Sequence, residues 1–285
     1  MKDGKLITLG IETSCDETAA AVTAEGRDIR SNVIASQIEI HRVFGGVVPE
    51  IASRRHLEQI NGVIDAAVAE AGIAFADIDL IGVTEGPGLV GAVLIGLSTA
   101  KAMAFALDRP LVGVHHIKGH ISAVYLEHED LAPPFLSLVV SGGHTDLIDV
   151  RDYQTYEVLG RTRDDAAGEA FDKVARVLGL GYPGGPKVDA LAQRGDPEKI
   201  LFKRVLLEKD SLDFSFSGIK TGVMNYMNTE RQAGREVDVA DVAAGFEASV
   251  IDVLVSKTLT ALKRTGRKKL TVGGGVASNS LLRRR

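Results

Sequence analysis

The chain is poor in cysteine, in basic charge and in long apolar runs, and each shortage excludes something. Cys15 is the one cysteine in 285 residues, so no internal disulfide framework can form. That usage fits a reducing compartment, and the cytoplasm is the expected location. Lysine and arginine number 33 against 38 aspartates and glutamates, a formal net charge of −5. This excludes a bulk basic field for holding nucleic acid, so such a partner must be met by local patches or by another subunit. The longest uncharged run, residues 86–100, is too short and too broken by glycine and proline to span a bilayer. The opening MKDGKLITLGIE has neither the apolar stretch nor the small-residue cleavage site of a signal peptide. No membrane partner is expected. Two nucleotide signatures are absent as well: there is no Walker A loop, and no G-x-G-x-x-G follows the first strand.

What is present points to an α/β protein of two lobes. At 45% hydrophobic residues over 285 positions the chain exceeds what a single core usually fills. Residues 6–11 read as a buried strand, broken by the polar turn ETSCDET and resumed as AAAVTA. The same layout returns about 130 residues later as PFLSLVV, SGGHT and DLIDV. Each lobe, 1–130 and 131–285, is therefore expected to start its sheet with a hairpin whose turn faces a shared cleft. Residues 53–71, 89–107, 168–180 and 241–266 have helical period, and KKLTVGGGVASNSLL reads as strand, triple-glycine turn and helix start. The chain stops there, on three arginines. An open α/β lobe would normally complete that helix, so the sequence reads as a C-terminally shortened form of a longer protein.

Three of the seven histidines crowd into GVHHIKGHISAV. On a helix His116 and His120, four apart, share a face and can reach one metal ion, with His115 rotated away and Gly119 allowing close approach. The residues after His116 are Ile117 and Lys118, so the glutamate base of an H-E-x-x-H peptidase is missing and a metalloendopeptidase is the least favoured reading. Three loops suit phosphate: SGGHT (141–145), GGGVASNS (273–280) and ETSCDET (12–18). Glycine leaves the N–H groups of the first unobstructed, the second leads into a helix N-terminus and the third would face them across the cleft; together they suggest a nucleotide. Glu169, Asp172 and Asp189 stand beside a Gly/Pro turn, where a carboxylate either binds ribose hydroxyls or caps a helix. Arg54-Arg55, Arg161 with Arg163, and the stretch 263–269 are candidate phosphate contacts, or plain solvated faces.

In order along the chain, GIETSCDETA, GGVVPEIASRRH, TEGPGLVGAVLIG, HHIKGH, VSGGHT, GEAFDKVAR, YPGGPKVD, FSFSGIKT and GGGVASNS resemble the TsaD family of tRNA threonylcarbamoyladenosine-synthesis proteins, once described as O-sialoglycoprotein endopeptidases. The resemblance implies an actin/hexokinase/Hsp70-like (ASKHA) fold: duplicated mixed sheets flanked by helices, with a nucleotide cleft between the lobes. It implies that His116 and His120 bind one divalent metal, iron or zinc, and act in catalysis through it. The family's third ligand, an aspartate near the C-terminus, is matched by no segment of this sequence, so weakened metal affinity and doubtful activity are expected of this chain. Nucleotide contacts carry over to Val139, Val140, Ser141, Gly142, Gly143, His144, Asp172, Gly185, Asp189 and Asn279. The implied reaction moves a threonylcarbamoyl group from threonylcarbamoyl-AMP to N6 of the adenosine 3′ of the anticodon in tRNAs reading ANN codons, with AMP or ATP as other occupants of the cleft.

Implied partners are tRNA, a paralogous subunit (TsaB), an ATPase (TsaE) and a separate enzyme that makes the adenylate; the helix at 91–106 is a candidate dimer face. Two other readings of the same fold stay open from the residues alone. A small-molecule kinase would turn over ATP without tRNA, and a non-enzymatic ATP-binding assembly subunit would keep the glycine loops but not need the histidine pair.

Overall fold

The computed structural model describes residues 4–204 and 210–285, and the chain falls into two compact units, Met1–Glu129 and Asp130–Arg285. In the first unit, strand β1 (Ile7–Glu12) buries Ile7, Leu9 and Ile11 on one face, the period-two pattern of a strand with one face on a core. It pairs antiparallel with β2 (Glu17–Ala24), which pairs with β3 (Asp28–Ser36). The chain then runs through α1 (Ile38–Arg42) and α2 (Pro49–Glu70), the latter opened by proline in its first turn, where the missing N–H costs nothing. Next come β4 (Leu80–Gly86), α3 (Val90–Leu107) and β5 (Leu111–His115), followed by the short helices α4 (His116–Ser122) and α5 (Val124–Glu127). β4 lies parallel to β1 and β5 parallel to β4, giving the strand order β3-β2-β1-β4-β5. Ile60, Ile64, Ala67 and Val68 of α2 meet Leu9, Ile81 and Val83 of the sheet in the core of this unit.

The second unit repeats the plan. β6 (Phe135–Val140) is buried at every position and pairs antiparallel with β7 (Thr145–Val150), which pairs with β8 (Tyr156–Arg161). Helices α6 (Ala167–Val177), α7 (Gly184–Ala192), α8 (Ser217–Gln232) and α9 (Val239–Thr265) follow, then β9 (Leu270–Gly273), a 3-10 turn at Gly275–Ser278 and α10 (Ser280–Arg284). β9 adds parallel to β6, so the order is β8-β7-β6-β9. The core is centred on α9. Asp238 caps its start by accepting from Ala240 N–H at 2.9 Å and Gly266, at φ +66°, ends it. Phe246 meets Phe171 of α6 edge to face, ring centres 5.1 Å apart.

Several elements differ from the sequence reading. β3 and β8 are edge strands that the pattern does not announce, because each buries a single residue, Ser31 and Gly160. α8 buries only Ile219 and Val223, too thin a stripe to show a helical period. Only residues 90–100 of the uncharged run enter α3, which continues through Lys101 to Leu107 and by length and composition alone reaches the span of a bilayer. It packs on the first unit through Ala92, Val93, Gly96, Ala100 and Ala104.

Candidate functional site

The strand β5 ends at His115 and α4 begins at His116, so the chain turns from sheet to helix inside the histidine cluster. One turn of α4 sets His116 and His120 on the same face. Their Nε2 atoms stand 3.1 Å apart with the rings at 79°. Zinc–nitrogen bonds of about 2.0–2.1 Å at tetrahedral angles bring two ligand nitrogens to roughly 3.3 Å, so the pair is spaced as two ligands of one ion. Among the described residues no group of three or more His, Cys, Asp or Glu side chains is arranged to hold an ion. The donors fit the metal that the resemblance implies as two of its ligands and no more.

The other nitrogen of His116 is spoken for. Its Nδ1–H donates to Glu12 Oε2 at 3.0 Å, and Ser14 Oγ lies 3.2 Å from the same nitrogen. This leaves the Nε2 lone pair facing His120, the arrangement in which a carboxylate fixes the tautomer and orientation of a ligating histidine. Glu12 is itself held by Thr84 Oγ1–H at 2.6 Å and by the Ser14 N–H. Burial opposes its charge, but the hydrogen bonds from His116, Thr84 and Ser14 together win and hold the carboxyl down at about 2. Burial, and then the neighbouring His116, push His120 below the ordinary histidine value against the pull of Glu12, which keeps it neutral as a ligand must be. The thiolate of nearby Cys15 is disfavoured. Desolvation and the carboxylates of Asp16, Glu12 and Glu17 push its thiol up to about 12. Glu12 escaped the sequence reading, which placed it in a phosphate-facing turn; 104 residues separate it from His116, and only the parallel pairing of β1, β4 and β5 brings them together.

In the second unit the β6–β7 turn closes on itself. Ser141 N–H donates to His144 O at 2.8 Å, and His144 N–H to Ser141 Oγ at 3.1 Å. Val139 and Val140, fully buried, are the last residues of β6. Open space lies where side chains would stand on Gly142 and Gly143, so the tip of the turn is bare backbone. Two other glycines support it from behind. A Cβ on Gly168 would lie 2.6 Å from Ser141 O, and one on Gly274, at φ +92°, would run into Val140 O. Gly168 N–H donates to Ser141 O at 3.2 Å, tying the start of α6 to the turn.

The carboxylates beside this turn each have a structural partner. Glu169 pairs with Lys173 at 2.9 Å. Asp172 Oδ1 accepts from Gly184 N–H at 2.6 Å, capping α7, and Gly185 follows in that helix's first turn with open space at its Cβ position. Asp189 accepts from Ser280 N–H at 3.0 Å and from Ser280 Oγ–H at 2.5 Å. Asn279 is buried and caps α10, its Oδ1 accepting from Leu282 N–H at 2.9 Å. Asp172, Asp189, Gly185 and Asn279 thus belong to one connected group of elements, α6, α7 and α10. The histidine pair belongs to the other unit.

Several of the basic candidates are engaged locally. Arg54 pairs with Glu50, Arg55 with Glu58 and Arg163 with Asp213, at 3.0, 2.6 and 2.8 Å. Such exposed pairs are weak and exchange readily for phosphate. Arg267 differs: it grips Asp149, 3% exposed, by two parallel bonds of 2.6 and 2.8 Å, and this arginine is a structural tie between β7 and the start of β9 rather than a phosphate contact.

The sequence model of TsaD, tRNA N6-adenosine threonylcarbamoyltransferase, matches residues 28–285. The chain belongs to this family. The tRNA N6-adenosine threonylcarbamoyltransferase of Clostridioides difficile (strain 630) is 59% identical over 278 residues, which cover 98% of this chain and 82% of that protein. The protein of the same name from Clostridium beijerinckii is 58% identical over 279 residues, with the same coverage of each. Among solved structures, T. kodakarensis HypF covers 100% of this chain and 45% of its own at 14% identity and a TM-score of 0.64. The component A of (R)-2-hydroxyglutaryl-CoA dehydratase from Acidaminococcus fermentans covers 98% and 86% at 16% identity and a TM-score of 0.55. At these identities the structures speak for the fold alone, the actin/hexokinase/Hsp70-like α/β class, and agree with two helix-flanked mixed sheets.

Proposed function

We propose that this chain transfers the threonylcarbamoyl group of threonylcarbamoyl-AMP to N6 of the adenosine 3′ of the anticodon in tRNAs reading ANN codons. Family membership sets the reaction, and the observation in the structure that supports it is the convergent His116–His120 pair braced by Glu12. In this reading the two Nε2 atoms hold a divalent ion, iron or zinc, which when bound supplies Lewis-acid chemistry at the phosphate or the carbamoyl carbonyl. Glu12 fixes the ring of His116. Gly142 and Gly143 direct bare N–H groups at phosphate oxygens and so favour the charge that gathers on departing AMP. Asp172, Asp189 and Asn279 keep lone pairs or amide hydrogens for the adenosine, and Gly185 leaves room for it.

The acceptor amine belongs to tRNA, so no protein nucleophile is required, in line with the protonated thiol of Cys15. N6 bonds to the carbamoyl carbon, the bond from that carbon to the phosphate oxygen breaks, AMP leaves with the electron pair and N6 gives up a proton. The reading extends to a cytoplasmic protein that works with a TsaB-like paralogue, a TsaE-like ATPase and an adenylate-forming enzyme. A docking or homodimer face on α3 is supported by the exposure there of Val90, Leu94 and Phe105.

The test is AMP release from threonylcarbamoyl-AMP with and without tRNA, in the presence of the partner proteins, for the natural chain and for His116→Ala and His120→Ala. tRNA-dependent release that both substitutions abolish is expected. Turnover of ATP on a small molecule without tRNA would replace this reading with a kinase, and nucleotide binding with no turnover and no effect of the histidines would leave an assembly subunit.

A further inference from the structure

The first half of helix α9 is buried all round from Val242 to Ile251, and within that stretch, between Phe246 and Ala248, stands a carboxylate. Glu247 is 3% exposed. A carboxyl group among apolar neighbours works against folding unless it is compensated, and a leucine or glutamine would serve packing better. The compensation comes from Asn279, whose Nδ2–H donates to Glu247 Oε1 at 2.6 Å. The other end of the same amide accepts from Leu282 N–H at 2.9 Å. An ionised carboxylate only accepts, and a backbone N–H only donates. With Glu247 on one side and Leu282 on the other, a single orientation of the Asn279 amide is allowed, because a flip sets oxygen against oxygen and hydrogen against hydrogen. Asp189 of α7 holds the next residue, Ser280, through its N–H and its hydroxyl. The pair 279–280 is therefore clamped from two helices.

We propose that Glu247 is a positioning residue for nucleotide: it fixes the amide of Asn279 in the orientation from which Asn279 meets the adenylate. The inference rests on the reading of Asn279 as a nucleotide contact. Glu247 itself is almost wholly buried and acts through its hydrogen bond from Asn279. The charged groups around it are Asp189, which raises its pKa, and Arg284, which with the Asn279 hydrogen bond lowers it; burial outweighs them and pushes it up to about 7. The acceptor-only form, and with it the lock on Asn279, then gains population as pH rises through neutrality.

The test is a double-substitution cycle read by AMP affinity, using calorimetry on the full chain, with Glu247→Gln, Asn279→Ala and the two together. Glutamine has the shape of glutamate but can donate, so it releases the orientation while preserving packing, and thermal melting confirms that each variant is folded. Loss of a charge-assisted contact of this kind corresponds to about a tenfold weakening. Expected is a loss of that order for Glu247→Gln in the natural background and less than about twofold in the Asn279→Ala background, since a residue acting through Asn279 has nothing left to act on. AMP affinity divided by that of Glu247→Gln is expected to rise between pH 6 and 8, a ratio that cancels the titration of AMP itself. Equal losses in both backgrounds, or no loss in either, would overturn the proposal and leave the Asn279 reading standing. If Asn279→Ala alone left AMP affinity unchanged, the nucleotide reading of the loop would fall and this proposal with it.

Discussion

The two hairpin turns sit at equivalent places in two sheets that share the order of four strands, the first sheet having β5 in addition, yet they are held in opposite ways. The β6–β7 turn is fastened by its own backbone and by glycines packed behind it, and it leaves bare N–H groups at its tip. The β1–β2 turn is fastened by side chains from far along the chain. His56 Nε2–H donates to Cys15 O at 3.0 Å, Thr18 Oγ1 meets His56 Nδ1 at 2.8 Å, and Gln37 and His41 extend the network, all four side chains fully buried. Glu12 and Ser14 reach from this turn to His116. One turn is thus built as a backbone cradle and the other as a side-chain brace, and a common architecture acquires two chemistries through what fastens its turns.

Substitutions sharpen this contrast, and the largest effect belongs to the histidines. His116→Ala or His120→Ala should reduce bound iron or zinc to background and transfer by on the order of a hundredfold or more; metal analysis beside a tRNA modification assay checks both. Glu12→Gln removes the charge that orients His116 and should weaken metal affinity about 10- to 100-fold, as read by competition with a chelator. Gly168→Ala reverses the pattern. Its new methyl meets Ser141 O, so the turn must move, with a cost of about 1–3 kcal/mol in denaturant unfolding and weaker AMP binding at unaltered metal content. If Gly168→Ala lowered metal affinity as much as AMP affinity, the separation of the two roles would be wrong.

The smallest effect is a pH dependence of stability. The folded state raises the Glu247 carboxyl to about 7, so it binds that proton more tightly than the unfolded chain does. The contribution is fully present below the ordinary glutamate range and is lost as pH rises toward 7. Melting temperature in Glu247→Gln should therefore fall less over that interval than in the natural chain; parallel curves would show that Glu247 does not titrate there.

The strands that build both hairpins were legible because each is a short apolar run ended by a polar turn. The pairing of His116 with His120 was legible because it needs only one turn of one helix. Glu12 was not, since its meeting with His116 depends on which strands lie side by side, and no local pattern encodes that. Glu247 was hidden differently. It falls inside a long apolar period where a single polar residue reads as the outer face of a helix, and α9 has no outer face at that point. The carboxylates beside YPGGPKVD left a choice between helix cap and ligand contact, and in the fold Asp172 caps α7.

The brace around His116 draws on residues 12, 14, 84 and 116, which are neighbours only once β1, β4 and β5 have assembled. An unfolded chain cannot offer that group of residues at all. An ion that needs it therefore discriminates between folded and unfolded first units, and at a free concentration a hundred times its dissociation constant would favour the folded one by about 2.7 kcal/mol. If the proposed ion is bound, its supply in a cell would then bear on how long this unit escapes proteolysis.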